Sequence, residues 1–158
     1  MTTTELPPAP DSIRELSAIT DPDYADTYTL TADDVTRWPV EEWARTCFDE
    51  LAGFKAWLMW RFVLGLKLAW RKSPDTVCGW RIGARGPDWI RLEAEGRRLR
   101  GNLVYRVTEG RAQLATIAEF KHPKMVRKWK KLQPTHNSIV PGLVDGTHEA
   151  LRSKSDRP

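Results

Sequence analysis

Cysteine is scarce in this chain. Cys47 and Cys78 are the only two in 158 residues, and neither stands in a Cys-x-x-Cys or other metal-ligand spacing, which argues against a disulfide framework and against a zinc module. Local signatures of chemistry are missing too. There is no nucleophile elbow, and Gly79, Gly83 and Gly86 fall on a strand pattern and its turn, not between a strand and a helix as a phosphate loop requires. The adjacent carboxylates Asp33-Asp34 and Glu41-Glu42 point apart or occupy a helix's first turn, so paired-carboxylate catalysis has no support. No catalytic residue, metal or cofactor is therefore assigned.

A long uninterrupted apolar run is also lacking. Residues 54 to 70 (FKAWLMWRFVLGLKLAW) are apolar nearly all round, but Lys55, Arg61 and Lys67 interrupt them. Arg61 lies near the centre, where a cation costs about 2.5 to 3.5 kcal/mol in lipid. A core helix of about four turns is expected there, without stable membrane insertion. The first residues, MTTTELPPAPDS, show neither a basic nor an apolar targeting region, which places the protein in the cytoplasm by expectation.

Tryptophan and charge are what the chain has in quantity. Eight Trp stand beside three Tyr and four Phe, and such large amphipathic rings must be buried, line a site or sit at an interface. The net charge of +4 hides a division. Residues 1–50 carry three Lys/Arg against twelve Asp/Glu, or −9, and residues 51–158 carry 22 against nine, or +13. Either the acidic first third folds against the basic remainder and neutralises it, or a basic face is held for an anionic partner.

At this length one domain is expected. Pro7, Pro8 and Pro10 make residues 1–20 read as a disordered or weakly structured arm, with a turn of helix near Ser12 to Leu16. Residues 24–30 read as a first strand. Pro39 with Glu41 and Glu42 opens a helix carrying Val40, Trp43, Ala44, Cys47, Phe48 and Leu51 at helical spacing, and Gly53 stops it. From Val77 the period becomes two. Alternating segments around Trp80, Ile90, Leu103 and Leu114, separated by Gly86-Pro87-Asp88, Glu95-Gly96 and Glu109-Gly110, predict a four-stranded antiparallel meander with one apolar face and one Arg-lined face. Met125, Val126, Trp129 and Leu132 then return to a helical stripe. Pro134 is expected to restart the helix and Pro141 to bend or break it, up to a polar tail at residues 153–158.

The fold class is thus α+β: a curved antiparallel sheet, one N-terminal strand plus a four-stranded meander, packed on two consecutive helices and a long, Pro-bent C-terminal helix over residues 21–152. This order, with Trp57 to Leu66 on the second helix and Thr116 to Phe120 leading to Pro134-Thr135-His136, resembles the helix-grip superfamily of polyketide cyclase, START and Bet v 1-like proteins, and within it a branch of small bacterial proteins. The likeness covers roughly residues 22–151. It implies a cavity between sheet and last helix for an apolar or amphipathic small molecule, or, alternatively, a cyclase- or aromatase-like reaction on a polyketide-like ligand.

Trp57, Trp60, Arg61, Trp80, Tyr105 and His136 are the residues expected to converge there; the competing reading is that the aromatics are simply core. Lys121, Lys124, Arg127, Lys128, Lys130 and Lys131 surround Trp129 and form a basic surface, which is either a solvated face or a weak contact for an anionic membrane surface. A basic interaction module for an anionic membrane surface or nucleic acid is the further alternative; with no arrangement of Asn, Gln or Arg aimed at base edges, any nucleic-acid contact is expected to be weak and without sequence preference, and nucleic acid is the less expected partner. His136 and His148, twelve residues apart on the final helix, stand about 18 Å apart along its axis and cannot share a metal.

Overall fold

The period-two segments pair in sequence order. A computed structural model describes residues 6–156, and in it β1 (Tyr24–Thr31), β2 (Thr76–Val77), β3 (Trp80–Arg85), β4 (Trp89–Glu95), β5 (Leu99–Thr108) and β6 (Arg111–Phe120) form one antiparallel sheet in the order β1-β6-β5-β4-β3-β2. The fold is α+β, as expected. β2 is a two-residue addition to the four-stranded meander, joined to β3 by a hairpin turn at Cys78-Gly79, whose φ values of 47° and 86° match the twist of the flanking strands.

Apart from one turn near the N-terminus, the helices lie on one face. α2 (Val40–Arg45) runs on as a π-helical segment, Thr46–Ala52, to Gly53, whose φ of 59° ends it where a glycine is expected. α3 (Gly53–Leu58) continues as a second π-helical segment, Met59–Val63. It does not reach Trp70. Gly65 turns the chain at φ 70°, and Leu66 bridges to Gly96 in the β4–β5 turn, so residues 64–70 leave the helix and run along the sheet's lower edge. A Cβ at Gly96 would lie 2.1 Å from the Gly65 carbonyl oxygen, an approach only glycine permits.

α4 (Pro123–Ser155) is a single helix of 33 residues. Pro134 does not restart it, and Pro141 does not break it. The Pro134 ring sits on the solvent side, and the carbonyl four residues back belongs to exposed Lys130, so the hydrogen bond that Pro134 cannot donate is replaced by water at small cost. The basic segment, apart from Lys121, is therefore the start of the same helix that carries His136 and His148.

Between α2, α3, α4 and the sheet lies the main core, with Trp43, Phe48, Trp80, Ile90, Leu92, Tyr105, Leu114, Met125, Val144 and Leu151 among its members. The opposite face is not only an Arg-lined surface. Val104, Ala115 and Ile117 are buried on it under Ala9, Ile13 and Ile19, which form a second small core. Residues 6–20, read as an arm, thus pack on the sheet, with α1 (Asp11–Arg14) as one turn of helix. Proline removes donors but not acceptors: the Pro7 carbonyl accepts from the Thr27 amide at 2.9 Å, and Pro8 bridges Asp26 at the open edge of β1. Asn102 holds the arm from the sheet, its side-chain oxygen accepting from the Ala18 amide at 2.7 Å and the Ser17 hydroxyl at 3.0 Å. The first five residues of the arm and the last two of the tail lie outside the described residues.

Among the described residues, no helix is long and apolar enough to cross a membrane, and no group of three or more His, Cys, Asp and Glu side chains is placed to hold a metal ion.

Candidate ligand-binding site

The residues expected to converge are distributed over four places. Trp80 and Tyr105 are in the closed core at 3% and 1% exposure. The Trp80 ring meets Trp60 edge-on at 5.4 Å and lies over Gly101, where a Cβ would come within 3.1 Å of it. Tyr105 packs on Trp43 and Phe48 at 6.1 and 6.2 Å. Its hydroxyl sits beside the Cys47 thiol and the Thr147 hydroxyl without a hydrogen bond of ordinary geometry to either, and burial raises its pKa well above the usual tyrosine value. Burial also pushes the Cys47 thiol up to about 11. Both groups stay neutral at physiological pH and serve packing.

His136 sits apart from them, against β1. Its Nε2 lies 2.9 Å from Oδ2 of Asp26, whose side chain is almost wholly buried, and the Tyr24 hydroxyl donates to the same oxygen. The imidazole also meets Trp129 at 5.1 Å. Three turns on, His148 repeats the device: its Nε2 lies 2.7 Å from Asp34 Oδ1, and its ring stacks on Trp43 at 5.8 Å. The hydrogen bond from His148 holds the Asp34 carboxyl below its ordinary range. A carboxylate can orient an imidazole as a base, and each ring nitrogen Nε2 is engaged by a carboxylate, Asp26 for His136 and Asp34 for His148. Sequence reasoning missed Asp26 and Asp34 because nothing in a period-two strand or a turn marks a carboxylate that will meet a histidine some 110 residues later.

Trp57 lines a surface cleft of about 250 Å³ between the end of α2, α3 and the chain from Ala69 to Gly79. Its indole N–H donates to the Ala69 carbonyl at 3.1 Å, leaving its ring face for contact. Phe54 stacks parallel to it at 6.1 Å, and Trp70 tilts across it at 4.7 Å. The polar rim is Arg45, Asp49, Arg71, Lys72, Thr76 and Cys78. Not all of it is available. Arg45 bonds to Glu41 and to the Pro74 and Thr76 carbonyls, and Asp49 accepts from the Cys78 amide at 2.7 Å. Burial, then the nearby Asp49 carboxylate, push the Cys78 thiol up to about 11, so it is a poor nucleophile. Arg71 and Lys72 are the exposed cations of the rim and enter no ion pair among the described residues.

Arg61 lines a second opening, a groove of about 410 Å³ between the end of α3, the Gly65 turn, the β4–β5 turn and the start of α4. Of the basic surface, Lys128 alone lines this groove; its Nζ donates to the Val63 carbonyl at 2.9 Å. Lys121 pairs with Glu95 at 2.6 Å, and Lys124, Arg127, Lys130 and Lys131 are exposed along α4. Arg97, Arg98 and Lys67, which complete the groove, were legible only as turn and helix residues. Phe54 and Trp70 were legible only as parts of one apolar run. Gly65 inside that run and the Arg71-Lys72 pair after it were the available signals. No protein-family model matches the chain, and no curated protein is significantly similar to it.

Proposed function

We propose that the protein binds, without transforming it, a small amphipathic molecule: one apolar ring or short chain ending in an acid group. The cleft of Phe54, Trp57 and Trp70 takes the apolar part, and Arg71 and Lys72 take the acid. The observation that carries the reading is the placement of an indole at the base of the cleft, 8% exposed and ring-packed on two open aromatics, beside two cations that enter no ion pair among the described residues. Membership of the helix-grip superfamily is part of the proposal. Its support is the element order of strand, two helices, meander and long final helix, with the cavity beside α3 in place of one beneath α4. A cyclase-like reaction would draw on Asp26 and His136, and neither lines the cleft.

Titration with decanoate or naphthoate, followed by tryptophan emission, tests this. Saturable change is expected, with the matching alcohol at least about tenfold weaker because it forfeits a charge-assisted hydrogen bond. Trp70→Ala and the Arg71→Glu/Lys72→Glu pair should each abolish it. Equal affinity for acid and alcohol, or a response that survives both variants, would refute the reading.

A further inference from the structure

Exposed apolar side chains are concentrated in one segment of the chain. Six of the eight large ones among the described residues, Leu51, Phe54, Met59, Phe62, Val63 and Trp70, lie between positions 51 and 70. Trp57 joins three of them into a ridge, meeting Phe54 at 6.1 Å, Phe62 at 6.3 Å and Trp70 at 4.7 Å. These three are 71%, 66% and 73% exposed. A lone exposed Phe needs no explanation, whereas a contiguous ridge marks a contact.

Charge beside the ridge has one sign. Arg61, Lys67, Arg97, Arg98 and Lys128 line the groove that Phe62 borders, and no carboxylate lines it. Among the described residues none of these five takes part in an ion pair, and the buried Arg61 Nε has no hydrogen-bond partner. The acidic first third spends its carboxylates elsewhere: Glu41 on Arg85, Asp34 on His148 and Arg152, and Glu50 on Lys154. Those ion pairs serve β3 and the far end of α4, and none of them reaches this groove.

We infer that this face docks on an anionic lipid bilayer, with phosphate headgroups in the groove and Phe54, Phe62 and Trp70 in the headgroup–acyl boundary. Guanidinium forks match phosphate oxygens, and amphipathic rings are favoured at that boundary. A nucleic acid would satisfy the cations and leave the three rings in water. A second copy would cover the rings and set two cationic grooves against each other. Phe54 and Trp70 are shared with the aromatic cleft, whereas the groove cations and Phe62 lie outside it, so variants of the latter test docking separately from ligand binding.

The test is co-sedimentation of the full chain with vesicles of phosphatidylcholine, alone or mixed with phosphatidylglycerol, at low and high salt. Binding is expected only to the mixed vesicles and is lost at high salt. Arg97→Glu/Arg98→Glu should weaken it at least about tenfold, given about fivefold per cation near an anionic surface, and Phe62→Ser should remove the blue shift of tryptophan emission. Thermal melts of both variants should match the parent, since every changed side chain is exposed. If these variants lose vesicles but keep the decanoate response, docking and ligand binding are separate properties of the chain. Equal binding to pure phosphatidylcholine, unchanged binding in both variants, tighter binding to duplex DNA at the same salt, or a stable dimer that shields Phe62 would each overturn the inference.

Discussion

Two aromatic clusters lie a few residues apart and have opposite exposure. Trp43, Phe48, Trp60, Trp80 and Tyr105 interlock under α4, with all but Trp60 at 3% exposure or less. Phe54, Trp57, Phe62 and Trp70 form a ridge with only Trp57 buried. The residue types are the same, and Trp57 and Trp60 lie within one turn of each other. What differs is the partner. The first cluster is closed between the sheet, which supplies Trp80 and Tyr105, and the helical segment from Val40 to Val63, which supplies Trp43, Phe48 and Trp60, while the second faces outward because Gly65 turns the chain before it can lay a further turn of helix on the sheet. Packing, and not aromatic content, decides which cluster supports the fold and which is open to a ligand.

The comparison can be broken most directly at Trp80. Trp80→Ala removes a full ring from the closed cluster and should cost about 3 to 5 kcal/mol, the range for large-to-small core changes of this size. A urea melt reads this as a lower midpoint with an unchanged slope; an unaltered midpoint would mean that the closed cluster is not closed.

Alkaline pH should loosen the same cluster by a smaller amount. Burial raises the folded pKa of Tyr105 well above 10 and that of Cys47 from 9.0 to about 11, while the unfolded chain keeps ordinary values. For groups raised on folding, the stabilisation is complete below the unfolded pKa and disappears as pH climbs through the folded one. The free energy of unfolding should hold to about pH 9, then fall by up to about 1.4 kcal/mol per pH unit for each group in play. Tyr105→Phe should flatten the part of that decline above pH 10. A decline of the same steepness in the variant would place the titrating group elsewhere.

The smallest effect belongs to the open ridge. Trp70→Ala should leave stability within about 0.5 kcal/mol of the parent, as for other exposed substitutions, even though the ring it removes is as large as that of Trp80. Calorimetry of the two variants side by side sharpens the contrast, and a Trp70→Ala loss comparable with that of Trp80→Ala would erase it.

Much of the fold was legible without coordinates. Alternation around Trp80, Ile90, Leu103 and Leu114, with turns at Gly86-Pro87-Asp88, Glu95-Gly96 and Glu109-Gly110, corresponds to β3 through β6. Less of the site was legible. Trp57, Arg61 and Lys128 do line openings, but two different ones, while Trp80 and Tyr105 are interior and His136 is engaged with Asp26. Gly65 could be seen in the sequence; that it would meet Gly96 could not.

The amino-acid sequence alone determined the elements whose cause is local: side chains alternating about the strand axis, a helical stripe from Met125 onward, and glycines at the turns. Tertiary structure decided everything that depends on a partner from far along the chain. It carried α4 unbroken through Pro134, because the carbonyl left without a donor faces water. It laid the proline-rich residues 6–20 on the outer face, because their carbonyls can still accept from the edge of β1. It set Asp26 against His136 and Asp34 against His148, and it left five cations of one groove outside the ion pairs of the described residues. Period and propensity act over a few residues, whereas burial and charge pairing are settled only when segments separated by tens of positions come within a few ångströms of each other.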